Sequence, residues 1–301
     1  VLELSVPALL YDLGAALSDW TLAYGTNGTR ITQATAIRLL TEAQRQEFDS
    51  LRAEGVPGLA FKIEESLTVD AADSYRFPLS SRVRQVLNCF DDSETYHALG
   101  IWKTGHVGYV YEEGGRAIRF RNLTTHDGTV KAWVVLEPVR LCAGCLSSTA
   151  TSTANLTLPA SPSVGQFVDE DHYYRSARIA IVQGTGAGQV RKVSSYDRAT
   201  RVCTVDTAWT TKPSAATGAS PSHFSLMLDL PDVTKRSVVA RAACMIADAD
   251  GLARDLLPLL EARYQKAHHD AVVMLENQVV GMPVNAHMIY DVQGPADEDL
   301  S

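Results

Sequence analysis

The sequence predicts an α+β protein: a helical bundle built from N- and C-terminal helices, with an antiparallel β sandwich or barrel domain inserted between them. Three observations predict it. Apolar residues recur every three or four positions near both ends of the chain. Between residues 59 and 230 the period falls to two, in many short runs separated by turn residues. Amphipathic helices need a partner for their apolar stripe, and the economical partner for one end is the other end. The expected divisions are residues 1–58 and 231–280 for the bundle, 59–230 for the β part, and 281–301 for an extended arm.

The first helix is read from Leu2, Val6, Leu9, Leu10 and Leu13, with Pro7 best placed in its first turn. A polar loop follows over residues 24–30. Thr32 is a suitable N-cap for a second helix carrying Ala36, Ile37, Leu40, Ala43, Phe48 and Leu51, which Gly55 and Pro57 end. Alternation then begins at Phe61, Ile63, Leu67 and Val69, with a turn at residues 70–73 and an extended piece at 75–79. Further strands are expected at 83–90, 107–111, 117–121, 130–136, 177–182, 190–196, 202–205 and 224–228.

Residues 146–165 hold nine Ser or Thr in twenty positions. They read as a mobile loop or as solvent-exposed edge strands, the loop coming first because Pro159 and Pro162 disfavour a paired strand. Helix returns near Pro231, with Val238, Val239, Ala242, Ala243 and Ile246 on one face. Asp248, Asp250 and Gly251 break it. Leu252, Leu256, Leu259, Leu260, Tyr264, Ala267, Ala271 and Leu275 make a second stripe, so the pair forms a helical hairpin.

The 301 residues carry 46% hydrophobic and 21% charged side chains, ordinary values that exclude a mostly disordered chain, a collagen or a long coiled coil. The formal charge of -8 argues against gripping nucleic acid through its phosphates. It leaves room for a surface past which DNA slides. Five cysteines are too few for a secreted disulfide scaffold. The first twenty residues carry acidic and no basic side chains, unlike a signal peptide, and no run approaches the roughly 18 apolar residues of a membrane span.

The chemical motifs are weak. Gly184, Gly186 and Gly188 suggest a nucleotide loop, but Gln189 stands where a dinucleotide fingerprint needs glycine, and a strand follows; a turn between strands is the better account. Cys142 and Cys145 have zinc-knuckle spacing without a second ligand pair; two unpaired thiols in a strand-end loop come first, then a local disulfide, then a metal. Asp248, Asp250, Gly251 and Asp255 are explained equally by a helix–helix turn and by part of a calcium loop. His268, His269 and Asp270 read as a solvated helix face. Glu64–Glu65, Asp91–Asp92 and Glu112–Glu113 offer carboxylate pairs of unknown separation. Asn27, Asn122 and Asn155 begin Asn-x-Thr sequons, read as chance matches in the absence of a secretory signal. Trp20, Trp102, Trp133 and Trp209 suffice for a sugar platform, though core positions are the commoner use.

The order of motifs resembles the head-to-tail adaptor (connector) proteins of tailed bacteriophages, the tail tubular protein A-like family. Asp19, then Thr29-Arg30-Ile31-Thr32, then Leu39-Leu40-Thr41-Glu42-Ala43-Gln44-Arg45-Gln46-Glu47, then Leu67-Thr68-Val69 and Tyr75-Arg-Phe-Pro-Leu79 with Arg82-Val83 follow that family's opening. Ile31 replaces its aromatic and Thr41 its usual Asn. Leu260-Glu261-Ala-Arg263-Tyr264-Gln-Lys-Ala267 is similar to its C-terminal helix. The stretch from Gly184 to Trp209, with Gln189, Tyr196 and Ala208-Trp209, resembles a segment of assorted phage virion proteins.

The resemblance implies a non-enzymatic virion protein of the neck, without cofactor, metal or membrane. It would form a homo-oligomeric ring, usually dodecameric, between portal and tail or nozzle, assembled in the bacterial host cytoplasm. DNA would pass through without sequence-specific binding. Residues 281–301 would be the portal-gripping arm, with Pro283, Val284, Met288, Ile289 and Tyr290 as its partner-binding side chains. A glycan-binding decoration or fibre-attachment protein is the alternative, and a tail-borne cell-wall hydrolase a third reading.

Overall fold

A computed structural model describes residues 2–19, 22, 31–55, 62–69, 76–91, 98–99, 108–112, 117–121, 128–147, 152–215, 221–249 and 254–280. The fold is mixed α+β, with antiparallel sheets between N-terminal and C-terminal helices.

Helix α1 (Val6–Ala16) carries its proline in the first turn, where no N–H is missed. Its Val6 N–H, an orphan of the helix start, donates to Ser225 Oγ at 2.8 Å. Helix α2 (Gln33–Ala53) begins where Thr32 Oγ1 accepts the Thr35 N–H. It stops at Gly55, whose φ of 73° is the left-handed turn that favours glycine. Helices α3 (Lys235–Ala249) and α4 (Leu257–Val280) form the expected hairpin. No described helix is long and apolar enough to cross a membrane.

The described strands fall into three sheets. In the first, β1 (Lys62–Val69) and β3 (Val83–Asp91) flank β7 (Gly128–Leu136), and β4 (Ala98–Leu99) lies beyond β3. In the second, β6 (Ala117–Arg121) lies between β2 (Arg76–Pro78) and β5 (Gly108–Glu112). The third has seven strands. Its order is β10 (Val164–Gly165), β8 (Cys142–Cys145), β14 (His223–Leu226), β11 (Arg178–Gln183), β12 (Val190–Asp197), β13 (Val202–Val205) and β9 (Asn155–Thr157).

The period of two sorts the third sheet's side chains between two cores. Leu141, Ala143 and Ala180 join the helices, packing with Leu9, Leu13, Leu40, Phe48, Val238 and Ile246. Cys142, Ile179, Ile181, Phe224 and Leu226 belong to a second core with Tyr173, Tyr174, Tyr196 and Trp209. A smaller cluster of Val86, Cys89, Ile118, Ala132, Val134 and Leu136 holds the first two sheets. One continuous core therefore joins the N-terminal and C-terminal helices to one face of the large sheet.

Two expectations need correction. Residues 146–165 are not simply a loop: they contain β9 and β10, the two edges of the seven-stranded sheet. The prolines constrain the chain as expected, since Pro159 and Pro162 fall between the two short strands and interrupt neither. Cys142 and Cys145 lie in strand β8 rather than in a loop at its end. The loop at 24–30, the turn at 70–73, Trp20, Trp102, Asn27, Asn122 and the arm at 281–301 with Pro283, Val284, Met288, Ile289 and Tyr290 lie outside the described residues.

Candidate functional site

The most built polar feature is a junction where α2, α3 and α4 meet. Glu47 projects from α2 at the apolar stripe's own spacing and is fully buried. Its carboxylate accepts from His268 Nδ1 at 2.7 Å, lies 3.5 Å from Arg241 Nε and accepts the Tyr264 hydroxyl at 3.3 Å. His268 Nε2 lies 2.7 Å from Glu54 Oε1 at the C-cap of α2. Arg241 also hydrogen-bonds the Tyr264 hydroxyl, and its guanidinium lies over that ring, 4.5 Å from the centroid.

The electrostatics follow from burial and pairing. Burial opposes the charged form of His268, but hydrogen bonds and charge from Glu47 and Glu54 together outweigh it and raise the pKa above its ordinary value. Burial lowers Arg241, against the pull of Glu47. A buried carboxylate with two cationic neighbours is compensated, and each neighbour holds a different helix.

A second junction ties the sheets to α2. Arg82, just before β3, donates to the carbonyls of Glu137, Tyr173 and Arg175 and pairs with Asp229 beyond β14. Asp229 also accepts the Val139 N–H at 3.2 Å. Burial raises the Asp229 pKa, with Arg82 opposing. Gln44 of α2 closes the set: its amide donates to Val139 O and accepts the Asp229 N–H, each at 2.8 Å.

The glycine motif is a turn between β11 and β12, with Gly184, Gly186 and Gly188 all at positive φ. At Gly186 a Cβ would meet Gln189 Nε2 at 2.8 Å and Thr211 O at 2.9 Å. Gln189 accepts the N–H groups of Thr210 and Thr211 and donates to Gly186 O and Thr211 O. That clasp links the turn to the segment after Trp209. The separated halves of the motif thus have one structural cause.

The remaining candidates separate cleanly. His269 and Asp270 are exposed as expected, but His268 is buried, which corrects the solvated-face reading for that residue. Sequence reasoning missed it because its partners lie over two hundred positions away. Cys142 and Cys203 are buried thiols whose pKa burial raises, and burial pushes Cys89 up to about 12. No metal-holding group of three or more His, Cys, Asp or Glu occurs among the described residues. Trp209 sits in the second core with Arg191 over its ring, and Tyr173, Tyr174 and Tyr196 are buried beside it. Asn155 starts β9, Glu64 and Glu65 lie in β1, and Asp91 and Glu112 end β3 and β5.

Neither protein-family models, curated proteins nor solved structures give a match to this chain.

Proposed function

We propose that this chain is a structural virion protein, a head-to-tail adaptor whose copies form a ring between portal and tail around the DNA channel. The role is non-enzymatic. One observation carries the reading: motif residues from opposite ends of the chain meet in space. Gln44 and Glu47, from the N-terminal motif, make the buried polar contacts of α2, and Tyr264, from the C-terminal motif, bonds to Glu47. The two motifs that carry the resemblance therefore lie on helices that pack together, as paired motifs of one bundle would.

In this reading the terminal helices form the bundle and the β part is its insertion. The bundle and residues 281–301 dock on the portal, and the ring receives the tail or nozzle below. A head-to-tail ring needs complementary side surfaces. Net negative charge suits a conduit, because cationic walls would retain phosphates. Acidic side chains then line the channel, with basic ones paired or outside.

Native mass spectrometry of the protein alone and with its virion's portal tests this. The expected complex holds one copy per portal subunit and is lost when residues 281–301 are deleted. A protein that stays free beside an assembled portal overturns the reading.

A further inference from the structure

The seam that α4 lays on the bundle is apolar at its ends and polar in the middle. Leu260, Ala271 and Leu275 are buried, and the seam positions between them are Tyr264 and His268. α4 lies chiefly along α3. Its polar reach to α2 runs through Tyr264 and His268. His268 has a carboxylate on each ring nitrogen: Glu47 Oε1 stands 2.7 Å from Nδ1, and Glu54 Oε1 stands 2.7 Å from Nε2. Only the imidazolium has two N–H groups and can donate to both. A neutral ring donates once and turns a lone pair on the other carboxylate.

The two carboxylates are not equivalent. Glu47 is fully buried, and Arg241 and Tyr264 hold it in place. The Glu54 side chain is 46% exposed, at the C-cap of α2. A carboxylate that can turn to water loses less on release than one sealed in a core. Loss of the proton therefore keeps Nδ1–H on Glu47 and lets Glu54 go. The turn that carries Glu54 is lightly held: Ala53, Glu54 and Gly55 are exposed, and a Cβ at Gly55 would meet nothing within 4 Å. It is also the last described part of α2 before β1, the joint between helices and sheets.

The other groups near the ring leave this proton to His268. From α3, Arg241 sits 3.5 Å from Glu47, and burial raises the nearby Cys244 thiol, which stays neutral. On α4 itself the Tyr264 ring lies 5.7 Å from the imidazole, while His269 and Asp270 are exposed. The turn at residues 232–234 also packs on α4, but its Asp232 is paired with Arg178, and Lys235 at the start of α3 is paired with Asp12.

We propose that His268 is the proton-operated pin of a latch between α4 and the last turn of α2. Protonated, it bridges Glu47 and Glu54 and holds the end of α2 on α4. Neutral, it keeps Glu47 and releases Glu54, which loosens the joint that leads to β1. α4 stays docked through Leu260, Ala271 and Leu275, so the opening is local. Glu47 and Glu54 together raise the His268 pKa against burial. The latch is thus closed below about pH 6.5 and opens as pH rises through the raised value. It stands whether or not the adaptor reading does.

The test is nuclear magnetic resonance of the nitrogen-15-labelled full chain across the histidine titration range. Long-range proton–nitrogen spectra should show both ring nitrogens of His268 protonated on the acid side and only Nδ1 protonated on the alkaline side. Amide exchange is read at Glu54 and Gly55, whose N–H groups bond Ser50 O and Arg52 O. Corrected for intrinsic base catalysis, it should rise about tenfold per pH unit between the ordinary and the raised histidine values, then level off. Exchange at Ala242 and Ala243, buried in α3, should not follow. Glu54→Gln offers Nε2 an amide donor, so the neutral ring stays bridged and the step disappears with the turn closed. Glu54 is exposed, so this variant folds as the parent does. A neutral ring protonated on Nε2, exchange at Glu54 and Gly55 that stays flat or rises in step with α3, or a step that persists in Glu54→Gln would each overturn the latch.

Discussion

Glu47 and His268 stand 2.7 Å apart, although 221 positions separate them along the chain. Glu47 is fully buried, and His268 nearly so. The pair is a short polar link between the N-terminal and C-terminal helices, and it ties α4 to α2. A carboxylate in an apolar core is costly unless paired and hydrogen-bonded. Here Arg241, His268 and Tyr264 compensate it from two further helices.

Removing that carboxylate should expose the cost of its partners. Glu47→Ala leaves Arg241 and His268 without their shared anion and opens a cavity. The expected loss is about 3–5 kcal/mol in unfolding free energy. Glu47→Gln keeps the volume and one acceptor and should lose about 2 kcal/mol. Urea denaturation of both variants measures the difference. Equal, negligible losses would show that the junction contributes little to stability.

His268 gives the junction a pH dependence. Its folded pKa is raised, so the extra stability is complete below about pH 6.5, the ordinary histidine value. It is lost as pH rises through the higher folded pKa. The urea midpoint should therefore fall as pH rises above about 6.5, relative to a His268→Gln variant, whose profile lacks this step. Parallel profiles for the two proteins would refute the assignment.

Periodicity carried the main elements because it reports burial directly. Ala117–Arg121 and Val202–Val205 match their expected strands, and Thr32 caps its helix as read. Short edge strands left no such trace: β10 spans two residues, and half-exposed β9 is recognisable mainly through its pairing with β13. The polar junctions were illegible for a different reason. Gln44 and Glu47 look like surface residues of a charged helix until Asp229, Arg241 and His268 arrive from the far end. Spacing within a helix says which face a residue occupies, not which partner satisfies it there.

The Arg82–Asp229–Gln44 junction predicts a second set of losses. Arg82→Ala strands Asp229, whose side chain is only 13% exposed, and frees three carbonyls, so about 3 kcal/mol is expected. Gln44→Ala orphans Val139 O and the Asp229 N–H. At about 1–3 kcal/mol for each buried unpaired group, the sum is about 2–6 kcal/mol. The two residues share Asp229 and its neighbour strand, so the double variant should lose less than the two single losses combined. Strict additivity in urea denaturation would show that they act independently.

Gln189 should behave differently, because its five side-chain hydrogen bonds are local and mostly exposed. They hold the turn at 184–188 to the Trp209–Thr211 segment without reaching the helical core. Gln189→Ala should leave global stability within about 1 kcal/mol of the parent, since exposed hydrogen bonds exchange readily with water. Local opening should rise instead. Amide exchange at Thr210 and Thr211 should quicken, and trypsin should cut sooner beside this segment at Arg191, whose guanidinium lies 5.4 Å from the Trp209 ring centroid. Gln189→Glu keeps the acceptor for both threonine N–H groups but loses the amide donor to Gly186 O and Thr211 O. Exchange at Thr210 should then stay closer to the parent than in Gln189→Ala. If both variants exchange alike, the donor half of the amide carries the clasp.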